Sequence, residues 1–196
     1  MKKMNALSLL AAVLFATAGL FGQGIRVTGG LGLAFMLDED WTDDMSDGGA
    51  GISTNYGFDL FGDYEISDEL SALLGLGYYI GSNEDSGVEI GVSSLVITAG
   101  ARYQLGMDMI RPYVMGGLQY VSTTIDVEVS GLGSSDASDS AFGLLLGGGA
   151  LYDLGNDLFV GAELRILVGS AYSDDEISDE VSYDNVTLFF FATKAF

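Results

Sequence analysis

The chain contains no cysteine, no histidine and only one proline among its 196 residues. Without cysteine there can be no disulfide, no thiolate metal site and no lipid attached to an N-terminal cysteine. Without histidine the chain lacks the side chain that most often serves as a general base. These absences exclude Ser-His-Asp and Cys-His catalysis and the common zinc sites.

Basic residues are also scarce, with seven Lys and Arg against 28 Asp and Glu and a formal net charge of −21. Recognition of nucleic acid needs clustered Lys and Arg, so we expect no nucleic-acid partner. Acidic chains are often disordered, but 48% of these residues are apolar, whereas disorder accompanies low hydrophobicity. The apolar and the acidic residues must therefore lie in different parts of the chain.

The N-terminus has the three-part pattern of a secretory signal peptide. Lys2 and Lys3 precede an apolar run from Ala6 to Phe15, and the small residues Ala16-Thr17-Ala18 follow. The alternative, a membrane anchor helix, is disfavoured because the apolar stretch from Ala6 to Phe21 is shorter than the ~20 residues that span a bilayer core. We predict a helical signal peptide over residues 1–22, cut between 18 and 23, and one domain over residues 23–196.

Beyond residue 24 apolar residues alternate with small or polar ones, as in strands that have two different faces. In the first such segment Leu31, Leu33 and Phe35 share one parity, while Gly30, Gly32 and Ala34 share the other. Eight segments show the pattern, approximately 25–37, 52–64, 70–80, 95–105, 114–120, 142–152, 158–168 and 186–196. Most reach the ~9–11 residues that a tilted strand needs to cross a membrane.

The connections between these segments alternate in length. Short ones fall near 66–69, 107–110 and 155–157, and long loops are expected near 38–50, 81–92, 123–140 and 170–183. The long connections and their borders carry 19 of the acidic residues and no Lys or Arg. Short turns at one end and long loops at the other are typical of membrane barrels, whose short turns face the periplasm.

Three features indicate that the apolar parity faces lipid and not a soluble core. The opposite parity is rich in glycine, which fits the narrow interior of an eight-stranded barrel. Arg26, Arg102 and Arg165 all avoid the apolar parity, where a charge at mid-membrane is costly. Aromatic residues on the apolar parity gather at both strand ends, as in the aromatic girdles of membrane barrels. The predicted fold is all-β, an eight-stranded antiparallel up-and-down transmembrane β-barrel.

From about Gly24 to Phe196 the chain resembles the small OmpA/OmpX-like outer-membrane barrels. The ending Leu188-Phe189-Phe190-Phe191-Ala192-Thr193-Lys194-Ala195-Phe196 is similar to that family's terminal strand, and Arg111-Pro112-Tyr113-Val114 is similar to the opening of its fifth strand. The resemblance implies an outer-membrane location with both termini periplasmic. It also implies contact with membrane lipid, with a lipopolysaccharide-type outer leaflet, and with the barrel-insertion machinery through Phe196. Lys194 departs from the pattern, which usually has an apolar residue there.

Charged residues on the small, polar parity should meet inside the barrel. Buried charges must be paired, so we predict a lumen network with Arg165 near Glu163 or Asp59 and with Arg102 toward Asp63. Two interpretations stay open, a structural plug or a gate along a narrow ion path. The full predicted network comprises Arg26, Asp59, Asp63, Arg102, Glu163 and Arg165.

No catalytic or cofactor site is expected. Outer-membrane hydrolases rely on a histidine base, and Lys194, the only lysine after the signal peptide, falls on the lipid-facing parity. The first long loop is dense in carboxylates, which suit divalent cations, but it departs from the EF-hand pattern because Asp43 takes the place of its glycine. Diffuse cation binding and simple solvated charge both remain open for Asp38, Asp40, Asp43, Asp44 and Asp47.

The sequence therefore predicts a non-enzymatic outer-membrane barrel with acidic extracellular loops. Its role would be structural or one of surface interaction, as an adhesin or in envelope integrity. The alternative is a small, narrow porin-like channel. A possible extracellular ligand of the loops is left unspecified, because their Asp, Ser and Gly composition is generic.

Overall fold

A computed structural model describes residues 24–37, 54–85, 88–106, 108–129, 133–168 and 184–196. Within these ranges, no helix is long and apolar enough to cross a bilayer. The eight strands are β1 (Ile25–Met36), β2 (Thr54–Glu65), β3 (Leu70–Asp85), β4 (Val88–Gln104), β5 (Ile110–Val129), β6 (Gly133–Gly155), β7 (Leu158–Val168) and β8 (Asn185–Ala195).

Each strand pairs antiparallel with the next, and β8 pairs with β1, so the sheet closes on itself. The closing seam runs from Arg26 opposite Ala195 to Met36 opposite Asn185. The backbone N–H of Phe196 also donates to the carbonyl of Ile25 at 2.9 Å. The predicted eight-stranded antiparallel up-and-down barrel is confirmed. The predicted signal peptide over 1–22 lies outside the described residues.

The two ends of the barrel differ. At one end, here called the turn end, short connections join β2 to β3, β4 to β5 and β6 to β7. In the last of these turns Asn156 and Asp157 have φ values of 55° and 58°, a left-handed conformation that Asn and Asp tolerate better than most residues. Both barrel termini also lie at the turn end. The opposite end, from which residues 38–53 and 169–183 leave the described barrel, is called the loop end.

The two faces of the sheet point as the alternation predicts. Three consecutive leucines of β6 show it directly, because Leu144 and Leu146 are 57% and 58% exposed while Leu145 between them is 1% exposed. Apolar side chains lie on the outside of the barrel, where a monomeric soluble protein rarely exposes a continuous apolar surface of this extent. Small, polar and some large apolar side chains fill the inside.

Aromatic side chains border the apolar outer surface at both ends. Toward the loop end lie Phe35, Tyr56, Tyr78, Tyr120 and Phe142, and toward the turn end lie Tyr64, Tyr103, Tyr152 and Phe196. On β6 one aromatic residue lies at each border, and these two residues, Phe142 and Tyr152, are ten positions apart in the sequence. At about 3.3 Å per residue and a tilt of roughly 40°, this separation corresponds to a height of about 25 Å, the usual apolar band of a membrane barrel.

Lys194, which breaks the outward apolar pattern, carries its charge beyond this band. Its Nζ donates to the carbonyl of Asn156 at 2.6 Å and lies 3.8 Å from the Asp157 carboxylate. The side chain therefore places its ammonium group at the β6–β7 turn, and long basic side chains commonly extend in this way toward water at membrane borders.

The prediction of long loops at 81–92 and 123–140 is largely wrong. The strands β3, β4, β5 and β6 continue through most of both ranges, and β5 pairs with β6 as far as Val129 opposite Gly133. Past the aromatic pair Tyr120 and Phe142, this hairpin extends by roughly 30 Å of strand at about 3.3 Å per residue. We call this extension of β3–β6 beyond the aromatic residues of the loop end the ridge.

The sequence pattern did not predict the ridge, because the apolar and polar faces of its strands are exchanged relative to those of the barrel. On the outward parity the leucines give way to Ser122, Thr124 and Asp126, whereas the parity that faces the barrel axis becomes apolar with Ile125 and Val127. The alternation therefore continues with the faces exchanged. A strand that leaves lipid no longer needs an apolar outer face, so the loss of outward leucines marks the membrane border and not the end of the strand.

Candidate functional site

The six charged residues predicted for the lumen all point inward and are buried. Each is at most 6% exposed, and they come from β1, β2, β4 and β7, four strands around the barrel. Their burial requires partners, because an isolated ion costs several kcal/mol to remove from water. These six charged residues are Arg26, Asp59, Asp63, Arg102, Glu163 and Arg165.

Arg165 lies at the middle of the lumen and contacts two carboxylates. Its Nη1 donates to Oδ2 of Asp59 on the opposite wall at 2.5 Å, and its Nε donates to Oε1 of Glu163 on its own strand. Glu163 and Arg165 are two residues apart, so the strand places both side chains on the inner face. Charge-assisted hydrogen bonds of this kind are about twice as strong as neutral ones.

Arg102 continues the network toward the turn end. Its Nη1 donates to Oδ2 of Asp63 at 2.9 Å, and its Nη2 lies 3.8 Å from Oε2 of Glu163. Glu163 therefore lies between two guanidinium groups and connects them. Five of the six predicted residues form one continuous cluster, which joins β2, β4 and β7 through the lumen.

Arg26 does not contact this cluster within ion-pair distance. Its Nε lies 3.2 Å from Oε1 of Glu65, and its Nη1 donates to Oε1 of Gln104 at 3.2 Å. Glu65 was not among the predicted residues, because it follows the last alternating position of the second segment. The outcome is a smaller ion pair at the turn end, separate from the central cluster.

Two tyrosines that the sequence analysis did not single out complete the cluster. Tyr79 donates its hydroxyl to Oδ2 of Asp59 at 2.8 Å, and Tyr113 donates to Oε2 of Glu163 at 2.5 Å. Both residues have the inward parity of their strands, which was the available signal. The tyrosines supply neutral donors that help satisfy carboxylates buried away from water.

Aromatic rings enclose the guanidinium groups. The central carbon of the Arg165 guanidinium is 4.5 Å from the ring centre of Phe61 and 4.3 Å from that of Phe189. Arg102 is similarly 4.5 Å from the ring centre of Tyr113. Cation–π contacts of this kind stabilise a desolvated cation. We call Asp59, Phe61, Glu163, Arg165 and Phe189 the central layer; its side chains occupy the middle of the lumen.

Glycine on β3 makes room for this layer. A Cβ on Gly77 would collide with Oδ1 of Asp59, its cross-strand neighbour, and a Cβ on Gly75 would collide with the ring of Phe61. The large side chains of Asp59 and Phe61 can lie across the lumen only because the residues opposite them on the neighbouring strand have no side chain. The glycine-rich inner parity thus complements bulky residues on the neighbouring strand.

Several Ser and Thr hydroxyl groups in the described part of the lumen pair with one another or with a neutral amide. Thr28 and Thr193 pair at 2.7 Å, Ser94 and Thr123 pair at 2.9 Å, and Gln119 donates to Thr98 at 3.1 Å. None of these contacts includes a group that would activate a hydroxyl as a nucleophile. The acidic positions considered for divalent cations, Asp38, Asp40, Asp43, Asp44 and Asp47, lie outside the described residues.

The closed sheet, the apolar outer belt and the polar lumen define a transmembrane β-barrel of the outer-membrane type. The sequence matches the family described as outer membrane protein beta-barrel domain over residues 5–190. The chain belongs to this family. The resemblance to small OmpA/OmpX-like outer-membrane barrels is confirmed, and the protein is an outer-membrane protein. Among curated proteins, none matches the sequence.

Solved structures share the fold at low sequence identity. Neisserial surface protein A (NspA) is 15% identical with a TM-score of 0.61, covering 88% of this chain and 96% of its own. The attachment invasion locus protein Ail of Yersinia pestis, in complex with the heparin analogue sucrose octasulfate, is 15% identical with a TM-score of 0.58, covering 89% and 100%. A major outer membrane protein from Thermus thermophilus is 14% identical with a TM-score of 0.57, covering 88% and 99%.

Proposed function

We propose that this protein is a non-enzymatic surface-interaction protein of the outer membrane, which uses the ridge to contact partners outside the cell. The single observation that carries the proposal is the continuation of β3–β6 in regular pairing well past the apolar belt. A barrel that served only to span the membrane would need no such extension. A paired sheet holds a binding surface more rigidly than separate loops do.

The outward face of the ridge has a distinct chemistry. Glu89 lies directly opposite Glu128, and Asp126 lies directly opposite Asp136 on the neighbouring strand. Like charges in directly opposed positions destabilise a sheet, so a cationic partner would relieve this repulsion. The sequence has no Lys or Arg at residues 27–101 or 112–164, which include the whole ridge, to do so internally. We infer that the partner is positively charged.

A positively charged partner would have the opposite charge to the ligand in the Ail structure. The heparin analogue bound by that protein is a polyanion. The acidic ridge would repel a ligand of this charge, and its attraction to a cationic surface would weaken with salt. The shared fold therefore does not carry over the ligand.

The proposed orientation places the loop end outside the cell and the turn end in the periplasm. Short periplasmic turns are the rule for this class of barrel. We also propose removal of a signal peptide over 1–22, insertion through the terminal strand that ends at Phe196, and contact of the loop-end aromatic residues with a lipopolysaccharide-type leaflet. An epitope inserted between Val129 and Gly133 should be detected on intact cells, and one inserted after Asn156 only after the outer membrane is permeabilised.

Binding can be tested with the protein in lipid nanodiscs and matched charge variants. Three ridge acids, Asp126, Glu128 and Asp136, are changed to Asn, Gln and Asn. The control changes the same residue types at the turn end, Asp68, Glu69 and Asp108, which are also exposed. On immobilised lysine-rich peptide we expect the ridge variant to bind at least about tenfold more weakly than the control variant, corresponding to about 1.4 kcal/mol. Equal loss in both variants, or preferential binding of heparin, would contradict the proposal.

We further propose that the lumen is a structural plug and not the narrow porin-like channel. The central layer supports this view, because ion pairs and aromatic rings fill the middle of the lumen. An eight-stranded barrel has room for little more than its own side chains. Purified protein in a planar bilayer should show no sustained conductance, and steady current steps would restore the channel alternative.

A further inference from the structure

The outward face of the ridge begins with a zone of hydroxyl side chains just past the apolar belt. On β4, β5 and β6 the first outward residue past the belt is a serine, and the first outward acid follows further out. We call the residues of this zone, all half-buried or exposed, the hydroxyl strip: Ser93, Ser122, Thr124, Ser138 and Ser140. An uncharged zone therefore separates the lipid-facing belt from the acids of the ridge.

This uncharged zone has the same height on three strands. On β4, β5 and β6 the last outward apolar residue and the first outward acid are six residues apart. These pairs are Leu95 and Glu89, Tyr120 and Asp126, and Phe142 and Asp136. At about 3.3 Å per residue and a tilt of roughly 40°, six residues correspond to a height of about 15 Å. The headgroup layer of a phospholipid leaflet is only about 5–8 Å thick, so the zone matches a larger headgroup.

The lower border of the strip crosses the sheet obliquely. Leu95 on β4 lies opposite Ser122 on β5, so the apolar belt reaches one cross-strand row further on β4 than on β5. Ile80 on β3 lies opposite Ser93 on β4, so the belt reaches one row further again on β3. Because the strands of a barrel tilt, a border parallel to the membrane plane must cross them in this way. The strip therefore follows the level of the membrane surface and not a fixed position along the strands.

Hydroxyl groups at this level face the headgroups of the surrounding lipid. We propose that the hydroxyl strip binds the sugar headgroup of an outer-leaflet glycolipid, through hydrogen bonds between its Ser and Thr side chains and the sugar hydroxyls. Each hydroxyl group can donate and accept, so a row of them is complementary to a polyhydroxylated ring. The inference rests on the proposed placement of the loop end outside the cell, and it names the headgroup chemistry that the barrel contacts there.

The composition of the strip favours sugar over phosphate. Phosphate recognition commonly uses Arg or Lys, and the sequence has neither at residues 27–101 or 112–164. The rings of Tyr120 and Phe142, with centroids 4.9 Å apart, border the strip on its membrane side, and Phe142 is 69% exposed. Exposed aromatic faces can contact the C–H faces of sugar rings, while the hydroxyl groups above them contact the polar rim.

The inference is tested in phosphatidylcholine nanodiscs in which a rising fraction of the lipid is replaced. One replacement is digalactosyl diacylglycerol, which has a neutral sugar headgroup, and the other is phosphatidic acid, which has a phosphate alone. Both leaflets have the same composition, so the result does not depend on orientation. We expect saturable shifts of the Ser122 and Ser140 backbone amide resonances with the sugar lipid and none with phosphatidic acid. An equal response to phosphatidic acid, or shifts that grow without saturation, would overturn the proposal.

Two double variants separate the strip from the lumen. Thr124→Val with Ser138→Ala removes a hydroxyl pair of the strip whose oxygens are 3.0 Å apart. Ser94→Ala with Thr123→Val is the matched control, because it removes a similar pair, 2.9 Å apart, from the lumen face of β4 and β5. The half-saturating fraction of sugar lipid should rise at least about threefold in the strip variant, as expected for the loss of neutral hydrogen bonds, and stay unchanged in the control. Equal values in both variants would refute the proposal.

Binding of the lysine-rich peptide to the same nanodiscs keeps this inference separable from the proposed function. The strip variant retains the ridge acids Asp126, Glu128 and Asp136, so it should bind the peptide as the unaltered protein does. Saturable sugar-lipid binding without peptide binding would refute the cationic partner alone. Peptide binding without a saturable response to the sugar lipid would refute the role of the strip alone.

Discussion

Arg102 on β4 donates a hydrogen bond to Asp63 on β2 at 2.9 Å, across a strand that lies between them in the sheet. Both side chains are at most 2% exposed, so the pair is removed from water. The contact therefore runs through the lumen and not along the sheet surface. The interior of this barrel is therefore a polar core whose stability depends on each buried charge having its partner.

Breaking this pair on one side should destabilise the barrel strongly. Arg102→Met would leave Asp63 buried without its main partner, and losing one member of a buried pair costs about 3–5 kcal/mol. Arg111→Met, which disrupts the partly exposed pair with Asp153 at 2.8 Å, should cost only about 1 kcal/mol. Urea unfolding of both variants in lipid vesicles measures the difference. Equal costs would mean that the buried pair has no special role.

The double variant Arg102→Met with Asp63→Leu provides a stricter comparison. Because no unpaired carboxylate remains at position 63, it should recover part of the stability lost in Arg102→Met. If the two losses add fully, the two residues are not energetically coupled.

A methyl group on the inner wall of β3 should also be costly. Gly77→Ala places a Cβ on the Asp59 carboxylate, and overpacking of this kind typically costs about 1–3 kcal/mol. Gly116→Ala is the matched control, because a Cβ there meets its nearest atoms at an ordinary 3.6 Å. The control should unfold at a urea concentration close to that of the unaltered protein. A greater loss in Gly116→Ala than in Gly77→Ala would contradict the described packing.

The membrane border can be located by moving one charge along β5. Leu118→Arg places a cation on the lipid-facing surface inside the aromatic residues, whereas Ser122→Arg places it just beyond Tyr120. The cost should be larger for the inner position, toward the roughly 2–4 kcal/mol of a charge at mid-membrane, and about 0–1 kcal/mol for the outer one. Unfolding free energies in vesicles measure both. A larger cost at position 122 would place the ridge inside the membrane.

The sequence predicted the faces of the strands because the period of two is a local property. Parity alone put Arg102 and Asp63 on the same face, and eight alternating segments were enough for a closed barrel. Which residues touch depends on the register of strands that are distant in sequence, so parity could place Tyr79 and Tyr113 on the inner face but could not show that they donate to Asp59 and Glu163. The local sequence pattern does not determine which residues of two paired strands lie opposite each other.

The ridge was misassigned for a different reason. The expectation of loops at 81–92 and 123–140 treated the loss of outward apolar residues as the end of a strand. In fact the solvent on the outside changes from lipid to water at that level, so the same strand reverses its polarity. Ile125 and Val127 on the axis-facing side retain the period of two throughout. A search for alternation that ignores which parity is apolar would have found the extension.

The orientation of the two faces is tested most directly by the three consecutive leucines Leu144, Leu145 and Leu146, without any substitution. The protein is prepared with methyl-labelled leucine in nanodiscs whose lipids carry a nitroxide on the acyl chain. Paramagnetic broadening should be strong for the methyl groups of Leu144 and Leu146, which the structure exposes to lipid, and weak for Leu145, which it buries in the lumen. Strong broadening of Leu145 with sharp signals from its two neighbours would contradict the account.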